Sequence, residues 1–171
     1  MVCALGYEAP AIAKGGYPGG YVSTAIRYRL IQNSFAGGDS YLSAHDCADM
    51  LEYAAEAKIM EPVYGNGGDY VVSDYDALHT YHNIDIAEGM LYAAGDVSLV
   101  AGDADYSNAL LVDGKRIAAD DDAYGKYVGF YVSVYYYAET PFADERVLFV
   151  DPHADENDVF TIDGDDITGY K

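Results

Sequence analysis

The sequence predicts an α+β protein of small modules, with short, mostly antiparallel strands, a few helices and an elongated overall form. Three observations carry this expectation. Apolar residues change along the chain between helical spacing and strict alternation. The strand-like runs are short and several close on turn pairs such as Asp113-Gly114. With 51% hydrophobic residues among 171, the chain has enough apolar material for one sizeable domain or a few modules sharing a core. The modules are placed at residues 1–75 (a β-turn-β/α unit), 76–123 (a middle unit) and 124–171 (an acidic C-terminal unit).

The opening is rich in turn residues. Lys14-Gly15-Gly16-Tyr17-Pro18-Gly19-Gly20 precedes a stretch in which Val22, Thr24, Ile26, Tyr28 and Leu30 alternate with Ser23, Ala25, Arg27 and Arg29. That is the period of a half-buried strand, so residues 10–14 and 21–31 are expected to pair as strands across the glycine turn. The loop lacks the Lys-Ser/Thr ending of a phosphate cradle and reads as a turn. Ser43 to Lys58 is the clearest helix, with Ser43 at its start, Asp46 three residues on, and Cys47, Leu51, Ala54, Ala55 and Lys58 at helical spacing. Gly65 to Gly68 then turns the chain into a strand at Tyr70 to Ser73.

A second helix is expected from Ile84 to Ala94, opened by Asn83 and ended by Gly95, because Ile84, Ala87, Leu91 and Ala94 fall on one helical face. From residue 96 the pattern is β-like. Val97 to Ala101 is a candidate strand, and residues 110–112 and 116–118 flank the Asp113-Gly114 turn. Residues 127–137 fit a strand or a helix starting at Ser133. Arg146 to Val150 and Val159 to Ile162 read as strands, and Asp163-Gly164 as a further turn.

Charge is the unusual feature. Nine Lys and Arg stand against 29 Asp and Glu, a formal net charge of −20. Nucleic acid and anionic membrane are excluded as partners, since both need a basic face. The asymmetry is internal as well: residues 1–70 hold four basic and eight acidic residues, net −4, and residues 71–171 hold five and 21, net −16. Duplex DNA carries one charge per about 1.7 Å of axis, so −20 matches roughly 34 Å of duplex. Tyrosine is the second anomaly, at 19 residues with no Trp and five Phe, which gives most aromatic surface a hydroxyl.

Catalytic and metal motifs are sparse. His45 with Cys47, and His79 with His82, are metal-type pairs, yet a zinc site needs both to meet, and surface histidines with a buried cysteine are the simpler reading. Asp155-Glu156-Asn157-Asp158 lacks the glycine and the closing glutamate of an EF-hand loop. No Gly-x-Ser-x-Gly elbow occurs, and nothing orients His45 against Cys47. The reading is a non-enzymatic protein without catalytic residue, metal or organic cofactor. Two cysteines, Cys3 and Cys47, and a start MVCALGYEAP without a basic then apolar segment lead us to expect a reduced, cytoplasmic protein. No apolar run approaches the ~18 residues of a membrane span.

Three segments carry a resemblance. Ala9-Pro10-Ala11-Ile12 followed by Gly16-Tyr17-Pro18-Gly19-Gly20-Tyr21-Val22 resembles the strand, Tyr-Asn-x-Gly turn and strand that open the ArdA antirestriction proteins. Asp69 to Asp76 is similar to their acidic Ile-x-Asp-Tyr-Glu strand. Tyr127 to Ser133 with Tyr137-Ala138-Glu139 resembles their Tyr-x-Gly-x-Tyr-x-Ser stretch, although Pro141 breaks the chain where their long acidic helix continues. The resemblance implies a dimeric mimic of B-form DNA, serving a phage or mobile element in evading host defence. It would occupy the DNA groove of a type I restriction-modification enzyme, its carboxylates standing in for phosphates.

The partner is then a DNA-binding protein with a basic groove, met by a homodimer. The carboxylates chosen to meet it are Asp103, Asp105, Asp113, Asp120, Asp121, Asp122, Glu139, Asp144, Asp151, Asp155, Asp158, Asp163, Asp165 and Asp166. The alternatives are an acidic inhibitor or immunity protein of another basic nucleic-acid-binding protein, of the anti-CRISPR type, and a Tyr-rich structural subunit of a filament or capsid. A protein of a saline environment would spread its charge evenly, and the asymmetry between the two halves favours an inhibitor.

Overall fold

The computed structural model describes residues 1–31, 41–63, 69–102, 105–120 and 122–157. The chain divides into two compact units, Met1–Asn83 and Ile84–Lys171. The α+β expectation holds, with two antiparallel sheets and four α-helices among the described residues.

The first unit departs from the expected strands at its start. Residues 10–14 and 21–31 do not pair as strands; α1 spans Glu8–Ala13 and α2 spans Gly19–Arg27. Pro10 falls in the first turn of α1, where a missing N–H costs no helical bond, and Pro18 stands just before α2. Burial at Gly20, Thr24 and Ala25 follows helical spacing, whereas alternation would have turned Ala25 outward. Gly20 is needed for the close approach of the two helices, since a Cβ there would lie 2.2 Å from the Ala11 carbonyl oxygen.

Helix α3, Ala44–Glu56, forms where its cap and spacing predict it. The Asp46 N–H donates to Ser43 Oγ at 3.1 Å and Asp46 Oδ2 accepts from the Ser43 N–H at 2.9 Å, a reciprocal capping box. The Ser43 hydroxyl, donating to Asp46 Oδ2 at 2.6 Å, and then the Ser43 N–H hold the Asp46 carboxyl below the usual carboxylate range. The helix stops short of Lys58, which opens β1, Lys58–Pro62. Its antiparallel partner β2, Tyr70–Asp76, contains the expected strand at 70–73 and runs three residues further. The turn expected at Gly65 to Gly68 lies outside the described residues. Asp76 then caps the short helix α4, Ala77–His82, and Asn83, expected to open a helix, closes this one in the left-handed conformation. The core gathers Leu5, Tyr7, Leu30, Ile31, Ile59, Met60 and Ala77. Two bonds tie the N-terminal turn to β1: Tyr7 Oη donates to the Lys58 carbonyl at 2.7 Å, and the Met60 N–H to the Leu5 carbonyl at 2.8 Å.

In the second unit the expected helix at 84–94 is a strand, β3, Ile84–Gly95. It is followed by β4 (Val97–Ser98), β5 (Tyr106–Val112), β6 (Lys115–Ala118), a 3-10 turn (Asp122–Tyr127), β7 (Tyr131–Tyr137) and β8 (Arg146–Pro152). A register shift explains the misreading. Between Leu91 and Ala93, β3 advances two residues while β5 advances one, from Val112 to Leu111. That bulge puts Ala87, Leu91 and Ala94 against one core despite their uneven spacing, which imitates a helical face. The strand expected at 97–101 shrinks to Val97–Ser98. The Asp113-Gly114 hairpin forms as expected, both residues at positive φ, 43° and 86°. The ambiguous segment 127–137 is a strand from Tyr131, and β8 contains the strand expected at 146–150. Residues 159–162 and the Asp163-Gly164 turn lie outside the described residues.

The sheet order is β6-β5-β3-β7-β8, with β4 paired to β3. Strand β3 serves two ladders: its first part, through Met90, pairs with β7, and its last residues pair with β5. The outer strands β6 and β8 curl toward each other over a core of Leu91, Leu110, Val112, Ile117, Val132, Val134 and Val150.

Candidate partner-binding surface

The predicted carboxylates fall at strand ends and turns of the second unit. Asp105 precedes β5, Asp113 sits in the β5–β6 turn, Asp120 follows β6, and Asp122 opens the 3-10 turn. Glu139 and Asp144 lie in the β7–β8 connection, Asp151 in β8 and Asp155 in the turn beyond it. Apart from Asp122, whose side chain is not described, all of these are exposed. Asp103, Asp121, Asp158, Asp163, Asp165 and Asp166 lie outside the described residues.

The described carboxylates are dispersed. Asp105 and Asp120 share one end of the β5–β6 hairpin and Asp113 occupies the other. Asp105 is the most fixed of them: its Oδ1 accepts the Ser107 N–H at 2.9 Å, which holds the carboxyl below its usual range. Arg116 Nη2 donates to the Asp105 carbonyl at 3.0 Å.

Register brings together residues that the sequence reading passed over. On the outer face of β3, β7 and β8, Glu88, Ser133 and Asp151 stand side by side. The neighbouring row holds Ile86, Tyr135 and Phe149, and the next Ile84, Tyr137 and Arg146. Tyr135 and Phe149 stack at 5.1 Å, and Phe149 is 50% exposed. The signal was present in the alternation Tyr131-x-Ser133-x-Tyr135-x-Tyr137, which puts all four on one face of a strand.

Ser133 Oγ lies 2.7 Å from His153 Nε2 and 3.4 Å from Glu88 Oε1, while His153 Nδ1 lies 3.7 Å from Glu156 Oε1. This follows the order of a nucleophile, base and acid. However, β7 is paired on both sides, so the amides around Ser133 are committed to the ladders and do not form an oxyanion cradle. The arrangement is a brace, completed by Asn157, which accepts the Tyr131 N–H at 2.7 Å and donates to the Tyr131 and His153 carbonyls at 2.9 and 2.6 Å.

The cations are placed on rings. Lys14 and Arg27 lie over Tyr28, Lys115 over Tyr136, Arg116 over Tyr106, Lys126 over Tyr127 and Arg146 over Tyr137, at 4.1 to 5.8 Å from the ring centroids. These are six of the nine Lys and Arg. Lys115 also hydrogen-bonds the Tyr136 hydroxyl and lies 3.7 Å from Glu145. Burial pulls the Lys115 ammonium down, but the Tyr136 hydroxyl and the nearby negative charges outweigh it and hold the group above its usual value. Tyr136 is itself raised, by burial first, and donates to Asp85 Oδ2 at 3.4 Å.

Among the described residues no three His, Cys, Asp or Glu side chains form a group that could hold a metal ion. His45 lies 3.5 Å from Asp49, and His79 stacks on Tyr75 at 4.1 Å. Cys47, read as buried, is exposed, as is Cys3. No described helix is long and apolar enough to cross a membrane. Comparison with family models, curated proteins and solved structures finds no match.

Proposed function

We propose that the protein is an acidic inhibitor that occupies the DNA-binding groove of a basic, DNA-handling protein, with a type I restriction-modification enzyme as the partner. The observation that carries this reading is the excess of exposed carboxylates over cations in the C-terminal part of the chain. Residues 71–171 hold 21 acidic residues against five basic ones, and the described carboxylates among those chosen, Asp122 apart, stand exposed at turns and strand ends. The surface of that region therefore carries a large excess of negative charge, ring-stacked cations included, which suits a groove built to grip phosphates. The restriction enzyme is named from the resemblance, which now rests on the segment Asp69 to Asp76 and the stretch from Tyr127 to Glu139. The first resembling segment, expected as a strand hairpin, is helical.

Competition on DNA tests the proposal. Added to a type I restriction-modification enzyme with its DNA, the protein is expected to displace the duplex and block cleavage, less effectively as salt rises. Replacing Asp105, Asp113 and Asp120 by Asn, and separately Asp144, Asp151 and Asp155, should weaken displacement stepwise, by roughly two- to five-fold per carboxylate. Lack of displacement at low salt eliminates the restriction enzyme as partner. An unchanged affinity in both variants eliminates these carboxylates as the contact.

A further inference from the structure

We propose that the outer face of β3, β7 and β8 docks an arginine-bearing segment of the basic partner; this rests on the inhibitor reading and adds which cation is recognised. An aromatic row, Ile86, Tyr135 and Phe149, lies beside an acidic one, Glu88, Ser133 and Asp151, on that face. Successive rows are about 7 Å apart along a strand. A guanidinium laid flat on the Tyr135–Phe149 stack therefore reaches the carboxylates of the adjacent row. It gains a ring face and a charge-assisted hydrogen bond together. A lysine ammonium finds the same charge but has no plane to stack.

The protein itself sets a guanidinium over a ring of this face. Arg146, opposite Tyr137 in the register, has its Cζ 5.6 Å from that ring's centroid. Charge complementarity selects the occupant. Glu88 and Asp151 are exposed in the middle of the face, and Glu156 lies beyond them next to His153. A second copy of this chain would bring a further −20 and set like charges opposite one another.

Titration of the full chain with oligo-arginine and oligo-lysine peptides of equal length tests this, read by tyrosine fluorescence because the chain has 19 Tyr and no Trp. The arginine peptide should bind about five-fold tighter. Phe149→Ala should bring the ratio close to one without loss of folding, since that ring is half exposed. Glu88→Gln with Asp151→Asn should weaken both peptides alike. In the unsubstituted protein, amide shifts on adding the arginine peptide should centre on Met90, Tyr135 and Phe149. Equal affinity for the two peptides, a ratio untouched by Phe149→Ala, or shifts centred elsewhere would overturn the proposal. So would self-association that Phe149→Ala removes, which makes a second copy the occupant. If the restriction-enzyme competition fails while the arginine preference persists, the partner assignment falls and the docking face stands; the opposite result removes only the face.

Discussion

Replacing Leu110 by Ala is expected to cost the second unit about 3 kcal/mol and to lower its melting temperature by on the order of 10–20 °C. Leu110 is fully buried at the middle of β5, in register with Ala94 on one side and Ile117 on the other. Ala94 is too small to follow into the space left, and Ile117 belongs to β6, held by its ladder to β5. The cavity therefore persists, and its cost adds to the lost transfer energy of the side chain. Leu148→Ala is the control, because Leu148 is the unpaired residue of the β8 bulge and is 38% exposed. Its loss should stay within about 0.5 kcal/mol. Calorimetry on the two variants decides the matter, and equal melting temperatures would show that this core does not carry the stability of the unit.

Gly6→Ala should be the most damaging single-methyl change in the first unit, at about 3 kcal/mol or more. Gly6 has φ 84°, and a Cβ there would lie 2.0 Å from the Met60 carbonyl oxygen and 3.0 Å from its carbon. Both contacts are with backbone, so no side chain can swing aside. The N-terminal turn would have to leave β1, breaking the bond from the Met60 N–H to the Leu5 carbonyl. Gly15→Ala separates strain from collision, since Gly15 has φ 103° but nothing within 4 Å of a new Cβ. It should cost about 1–2 kcal/mol from conformation alone. Hydrogen exchange at the Met60 amide is the readout: fast exchange in Gly6→Ala and slow exchange in Gly15→Ala is the expected pair.

Elements with a local cause could be read from the sequence. Helix α3 announces itself through Ser43 and Asp46, which bond each other directly, and the Asp113-Gly114 turn supplies the two positive φ values that its hairpin needs. The misread elements have causes at a distance. The bulge at Tyr92 changes the phase of β3 only because β5 pairs alongside it, and α2 turns Ala25 inward only because α1 packs against Gly20. The same division runs through the candidate surface. That the carboxylates would be exposed followed from residue type and turn context. That Glu88 and Asp151 would stand on either side of Ser133 required the register of three strands, and His153 meets Ser133 from 20 residues away. The ring-bound cations were hidden in the same way, since only the fold puts Lys115 over Tyr136.

With nine cations against 29 carboxylates, little within the molecule offsets the crowding of its own negative charges, and the surrounding ions must do so. The range of that repulsion shrinks from about 10 Å at 0.1 M salt to about 3 Å at 1 M. The cation–ring contacts span only 4.1 to 5.8 Å, inside the screening length at 0.1 M, so they weaken less over the same interval. Salt thus acts with opposite signs on two equilibria of the same molecule. It compacts the free protein by relieving internal repulsion, and it dissolves any complex held together by attraction to a basic groove. The protein would be sturdiest in the medium where a complex of the proposed kind is weakest.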